Sequence, residues 1–353
     1  MTETTSAPVI DRRGGEARPR GRFGHIYGAI DLGTNNCRLL IAKPTTDGFR
    51  VIDAFSRIVR LGEGLSASGE LSEAAIRRSI AALRICADKV ARRGVTRLRC
   101  VATEACRKAA NGAEFIDRVQ AATGLRFEII NTSEEARLAL SGCTPLLDRS
   151  NRHALVFDIG GGSTEVLWTR LGGQQPQITA WMSVPEGVVT LAERWGGIHV
   201  TPESWAGMVE DVRRHLDRFD AAHRISTVLQ DGGVQLLGTS GTVTTVAGVH
   251  LDLPRYDRAK VDGIWLDLAD VQRVSRGLAE MSYEDRMAHP CIGRERADLV
   301  VAGCAVLEAI SRLWPVARLR VADRGVREGV LERLMHEAER EAVMVQRRPA
   351  YEA

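Results

Sequence analysis

Three short segments of this 353-residue chain carry the residue types that a bound phosphate group requires. Asp31-Leu-Gly-Thr-Asn-Asn36, Asp158-Ile-Gly-Gly-Gly-Ser-Thr164 and Gly238-Thr-Ser-Gly-Thr242 each close an apolar run with glycines and hydroxyl or amide side chains. Glycine leaves backbone N–H groups unobstructed, and short hydroxyls and amides add further donors, so such turns can cradle an anion. One glycine-rich turn alone is ordinarily just a hairpin. Three of them, two led by aspartate, favour a shared phosphate cradle. The candidate contacts are Gly33, Thr34, Asn35, Asn36 and Arg38 in the first turn, Gly160, Gly161, Gly162 and Ser163 in the second, and Gly238, Ser240 and Gly241 in the third.

Acids and arginines flank these turns. Asp158 and Glu165 stand at opposite ends of one short turn, so both carboxylates can face the cradle and hold a divalent ion through oxygen and water, as magnesium prefers. Glu134 and Glu135 fall in the first turn of a helix that Ser133 is placed to cap. There an acid either stabilises the helix dipole or orients and deprotonates a water for attack on phosphorus. The residues alone do not choose between the two glutamates. Arg107, just beyond the Thr103 cap of a short helix, can project into a cleft as a phosphate clamp. Arg38 occupies in the first hairpin the position that Glu165 occupies in the second, setting a cation across from an acid. No Gly-x-x-x-x-Gly-Lys-Ser/Thr loop, His-Glu-x-x-His pair or dinucleotide fingerprint is present, and Cys37 lacks a C-x5-R partner, so covalent catalysis is disfavoured.

Composition limits the partners. Formal net charge is +3, from 48 basic and 45 acidic residues, which gives no strong field toward nucleic acid or a membrane. All basic residues except Lys43, Lys89, Lys108 and Lys260 are arginines, whose forked guanidinium suits phosphate. The seven cysteines include no C-x-x-C pair, and no apolar run reaches about 18 residues, so a reduced, cytoplasmic setting is expected.

The elements that must position these residues repeat. Strand, turn and return strand run from Ile26 to Ala42, and again from Ala154 to Trp168. A shift of 127 residues places Asp31 on Asp158, Gly33 on Gly160 and Leu40 on Leu167, which suggests a duplicated lobe. Between the hairpins, helices expected from Ser72, Thr103 and Phe115 alternate with strands at 97–102 and 125–130, the pattern of an α/β lobe. The segment 296–313 reads as an apolar helix buried between strands, and a charged amphipathic helix from about Arg324 to Val345 could pack across the lobes or onto a second subunit. The expected organisation is a flexible tail at 1–24, one lobe at 25–147 and a second at 148–353.

These motifs, in this order, resemble the exopolyphosphatase and guanosine pentaphosphate phosphatase family within the actin, sugar kinase and Hsp70 superfamily. The resemblance rests on Ala29-Ile-Asp-Leu-Gly-Thr-Asn-Asn-Cys-Arg-Leu, Ala102-Thr-Glu-Ala-Cys-Arg, Glu134-Glu-Ala-Arg, Phe157-Asp-Ile-Gly-Gly-Gly-Ser-Thr-Glu, Gly238-Thr-Ser-Gly-Thr, Arg296-Ala-Asp and Arg324-Gly-Val-Arg-Glu-Gly. It implies two actin-like (ribonuclease H-like) lobes around a cleft, a homodimer, and release of orthophosphate from inorganic polyphosphate or a guanosine polyphosphate. It implies further that Glu135 activates the water, that Asp158 and Glu165 serve magnesium, and that Arg38, Arg107 and the glycine turns hold phosphate. The Thr-Asn-Asn-Cys turn departs from the Ser-Asn-Ser-Phe of many relatives, and the sequence stops where longer relatives add a helical C-terminal domain, so the resemblance implies a two-domain short form.

Overall fold

Two mixed sheets organise the protein. The computed structural model describes residues 21–173 and 175–346, with side chains through Met344. Most of the expected tail, residues 1–20, lies outside the described residues. Its last part does not hang free: Arg22–Gly24 forms a single 3-10 turn, and Arg22 Nη2 donates to the carbonyls of Thr45 and Thr46. No helix among the described residues is long and apolar enough to cross a membrane.

The first sheet contains β1 (Tyr27–Leu32), β2 (Asn36–Thr45), β3 (Gly48–Ile58), β4 (Arg97–Ala102) and β5 (Phe127–Ile129), in the order β3-β2-β1-β4-β5. The second contains β6 (His153–Ile159), β7 (Thr164–Arg170), β8 (Gln177–Val184), β9 (Val234–Thr239), β10 (Trp265–Asp267) and β11 (Arg318–Ala322), in the order β10-β11-β9-β6-β7-β8. From its hairpin edge the second sheet repeats the first, with β10 added. Each begins as an antiparallel meander and continues with two strands parallel to the central one, and β10 closes the second sheet antiparallel to β11. The register makes the duplication concrete, because Asp31 faces Arg38 across β1 and β2 just as Asp158 faces Glu165 across β6 and β7. The α/β class and the two lobes expected from the sequence are therefore present.

Local signals account for many boundaries. Ser72 accepts a hydrogen bond from Ala75 N and starts the helix Glu73–Arg92, and Gly124, with φ of 73°, ends Gly112–Thr123 in the left-handed conformation that suits glycine. The cap of Thr132–Cys143 differs from the expectation: Asn131, not Ser133, accepts from Glu134 N. An Asn side chain reaches the same N–H from one position earlier than the first helical residue, so Ser133 is left inside the first turn. The helix Val300–Leu313 is buried nearly throughout, yet its neighbours are the helices Val188–Trp195, Pro202–His223, Gly241–His250 and Leu268–Glu280 rather than strands. Small residues explain this, since a Cβ on Gly303 would sit 2.1 Å from Thr242 Oγ1, so glycine permits close helix contact.

The final helix, Val326–Gln346, packs on Thr132–Cys143 and β1. Two glycines set this crossing. A Cβ on Gly329 would lie 2.0 Å from the Leu138 carbonyl oxygen, and one on Gly142 would lie 2.1 Å from that of Gly325. Backbone cannot yield as a flexible side chain does, so Gly329→Ala should cost about 1–3 kcal/mol by overpacking. Urea denaturation should show a lower midpoint with an unchanged slope, and an unaltered midpoint would contradict the backbone contact.

Candidate active site between the lobes

The tips of the two hairpins touch. A Cβ on Gly161 would approach Thr34 Cβ to 2.9 Å, and one on Gly162 would approach Thr34 Oγ1 to 2.9 Å and Glu104 Cγ to 3.1 Å. None of the turn glycines has positive φ, so these positions demand space rather than an unusual backbone. Each turn is closed by the same bond, Gly33 N to the Asn36 carbonyl and Gly160 N to the Ser163 carbonyl, both 2.9 Å. Each is also braced from behind. The Asn35 carbonyl accepts from Val59 N and Arg60 N, while the carbonyls of Gly160 and Gly161 accept from Val188 N and Val189 N.

Between the tips lies a cavity of about 130 Å³. Its walls include Gly33, Thr34, Asn35, Asn36 and Arg38 from the first lobe, and Asp158, Gly160, Gly161, Gly162, Ser163, Ser240 and Gly241 from the second. Ser240, at φ 132°, turns its hydroxyl to accept from Thr242 N and Val243 N, capping the helix Gly241–His250 whose start faces the cavity. Such a start carries partial positive charge. Over Gly241 two guanidiniums converge, because a Cβ there would be 3.6 Å from Arg296 Nη1 and 4.0 Å from Arg38 Nη2. Neither arginine has a side-chain hydrogen bond or ion pair among the described residues. The amide oxygens of Asn35 and Asn36 are buried without a partner. An amide offers N–H groups after a half-turn, so both can meet phosphate oxygens, or metal-bound water with the oxygen forward.

The structure separates the two glutamates that the sequence left unresolved. Glu134 pairs with Arg99 and Arg333 outside the cavity. Glu135 lines the cavity, and its Oε2 accepts from Arg107 Nη1 at 2.7 Å while Oε1 has no protein partner among the described residues. Burial raises the Glu135 pKa well above the usual carboxylate range, and the like charges of Glu165 and Asp31 push it further against the pull of Arg107. Burial also lifts Asp158 to about 6 and Glu165 to about 7, the latter raised further by Asp158. Arg107 beside Glu135 and Arg38 near Asp31 and Asp158 offset only part of this clustered negative charge, since all four acids remain raised.

Three expected contacts sit elsewhere. Arg107 is not a free clamp: its Nε and Nη2 donate to Glu104 Oε2, and its Nη1 donates to Glu135 and the Ile130 carbonyl. Its geometry holds Glu135. Gly238 lies inside β9, where a Cβ would strike the Phe157 ring at 2.5 Å, so its glycine serves packing. Glu165 is beneath the cavity floor, its Oε1 accepting from Ser163 and Ser183 hydroxyls. Asp158 alone of the expected metal pair reaches the wall. Among the described residues no group of three or more His, Cys, Asp and Glu is placed to enclose a metal by itself. Magnesium, which retains waters and takes phosphate oxygens, fits one or two carboxylates better than a full protein cage. Sequence reasoning gave no role to Arg296, Asp31 and Glu104, which also line the cavity. The first lay within a quoted motif, and the second aligned with Asp158.

Comparison with known proteins identifies the family and the fold. The model of the Ppx/GppA phosphatase family matches residues 40–338. Exopolyphosphatase 2 of Mycobacterium tuberculosis is 31% identical over 315 residues, covering 86% of this chain and 96% of its own length. A crystal structure of an exopolyphosphatase-like protein superposes with a TM-score of 0.80 at 29% identity, over 88% of this chain and 99% of its own. The Aquifex aeolicus Ppx/GppA family member superposes with a TM-score of 0.72 at 27% identity, over 89% and 98%.

The acid cluster carries a stability cost with a defined pH window. Glu165 titrates near 7 when folded against 4.5 ordinarily, so between these values the folded chain keeps a proton that the unfolded chain releases. Stability is thus lost as pH rises through that window. Glu165→Gln should flatten this dependence and exceed wild type above pH 7 by at most on the order of 3 kcal/mol. Urea denaturation at pH 5 and pH 8 without divalent ions tests it, and equal pH dependence in both proteins would refute it.

Proposed function

This chain belongs to the Ppx/GppA phosphatase family, and from that premise we propose that it releases terminal orthophosphate from inorganic polyphosphate. The carrying observation is Glu135, which faces the phosphate cradle with one oxygen pinned by Arg107 and the other open. A carboxylate so held can accept a proton from a water and direct its oxygen at a terminal phosphorus. Arg38 and Arg296, unpaired and convergent, offset negative charge on the phosphoryl group while the phosphoanhydride bond breaks and the shortened chain leaves. The turn N–H groups not used to close the turns, with the Thr34 hydroxyl, orient the terminal phosphate; positioning and charge supply most of the rate in phosphoryl transfer. Asp158, with Glu165 behind it, would hold magnesium, which when bound neutralises charge on the phosphates and the acid cluster. The 31% identical relative bears the name exopolyphosphatase, which supports polyphosphate over a guanosine polyphosphate as substrate. Seven cysteines without a disulfide support a cytoplasmic setting.

Two outcomes follow. Glu135→Gln should lower kcat for magnesium-dependent orthophosphate release by roughly 100- to 10,000-fold while leaving polyphosphate binding largely intact. A wild-type rate would sink the assignment, and faster release from guanosine pentaphosphate than from polyphosphate would reassign the substrate. Only deprotonated Glu135 acts as base, so activity should rise with pH along a limb displaced upward from an ordinary glutamate. Removing the like charge with Glu165→Gln should move that limb to lower pH, as a pH profile of kcat/KM would show.

A further inference from the structure

Arg296 and the first phosphate turn enter the cavity from different lobes, so their separation depends on what joins the lobes at the cleft's mouth. A two-pronged ion pair does this. Arg60 Nη1 donates to Asp298 Oδ2 at 2.7 Å and Nη2 donates to Oδ1 at 3.0 Å, with a further contact from Nη2 to the Glu295 carbonyl at 3.3 Å. Close by, Gly64 N donates to Glu193 Oε1 at 2.8 Å.

A fixed frame stands behind each partner. Arg60 N and Val59 N bond to the Asn35 carbonyl, and Gly62 N bonds to that of Thr34 at 2.8 Å. Arg60 itself is held at φ 47°, a conformation that non-glycine residues seldom adopt. In the second lobe, Arg286 is 1% exposed and donates to the carbonyls of Ala297 at 2.9 Å, Gly197 at 3.0 Å and Ile198 at 2.5 Å. The chain packs so tightly here that a Cβ on Gly197 would lie 1.8 Å from the Asp298 carbonyl oxygen. Leu299 N and Val300 N close onto the Arg296 carbonyl, each at 2.9 Å. A shift of Arg60 therefore carries the Thr34–Asn36 turn, and a shift of Asp298 carries Arg296.

We infer that the Arg60–Asp298 pair is an interlobe clasp that sets the distance between Arg296 and the first phosphate turn. This rests on the phosphate-releasing reading of the cleft. Neither residue lines the cavity, so both are positioning residues. A bidentate arginine–carboxylate pair fixes direction as well as distance. At the rim it adds little to global stability and can part when product leaves.

Arg60→Ala and Asp298→Ala should each lower kcat for orthophosphate release about 10- to 100-fold, since small misplacements of reacting groups cost this much. KM for polyphosphate should stay within about threefold. The charge-swapped double variant R60D/D298R should recover most of the loss, because aspartate tolerates the left-handed backbone at position 60. Arg60→Gly relieves that backbone and should lose kcat without a fall in Tm, which separates the clasp from folding. Distances between spin labels at Asp117→Cys and Arg218→Cys, both exposed, should broaden in the single variants and narrow again in the swap; the native cysteines are all buried. Unchanged kcat in the single variants, a swap no better than either, or an unchanged distance distribution overturns the clasp. Wild-type inactivity on polyphosphate with broadened distances in the single variants would instead overturn the proposed reaction and leave the clasp standing.

Discussion

The contact between two glycine-bearing turns is the constraint from which the rest of the site follows. Gly161 and Gly162 approach Thr34 so closely that any side chain would drive the lobes apart. Closing that gap brings Glu135, carried by the first lobe, into the same cavity as Asp158 and Gly241, carried by the second. Glycine at these positions thus acts first on the lobe interface and only then on an anion. The same atom spacing that allows the contact leaves the N–H groups open, so assembly and recognition draw on a single property of the residue.

Charge is the second constraint. Asp31, Glu135, Asp158 and Glu165 share a poorly solvated space; burial raises all four, and like charge from another member of the group adds to the rise of Glu135, Asp158 and Glu165. A protein selected for stability alone would not keep such a group. The arginines divide into two kinds around it. Arg107 has its donors engaged by Glu104, Glu135 and a carbonyl, and it fixes the orientation of one acid. Arg38 and Arg296 retain open donors, and open donors are what an incoming polyanion needs.

The sequence shows the duplicated hairpins, the order of strands around them and most of the cavity wall, because each depends on local pattern or on one repeated register. What it conceals depends on distance across the fold. Neighbouring residues on a helix point about 100° apart, so Glu134 and Glu135 are equivalent in the sequence and differ only once Arg99 and Arg333 claim the first. Arg107 follows its strand as a clamp would, and only the packing of Glu104 beside it reveals its use. Gly238 imitates a phosphate glycine because a strand end and a close ring contact both require the same missing Cβ. β3 and β8 give no clean alternating pattern in the sequence, since both are edge strands whose exposed faces mix polar residues with apolar ones such as Val51 and Trp181.

The duplication itself explains why the site works as a pair of unlike halves. Two copies of one hairpin, related by 127 positions, would give a symmetric cradle if every residue were kept. The pairing Asp31–Arg38 in one and Asp158–Glu165 in the other breaks that symmetry across the strands, and Thr34, Asn35 and Asn36 standing where the second copy has Gly161, Gly162 and Ser163 break it at the tips. One half thereby gains a cation facing the cavity with no ion-pair partner among the described residues, and the other gains an acid that raises the proton affinity of Glu135. A phosphate between them experiences attraction from one side and a cation-attracting field from the other. That asymmetry, set by the exchange of Arg38 for Glu165 in a repeated frame, gives the cavity unlike electrostatic sides, the kind of preorganised field that phosphoryl chemistry draws on.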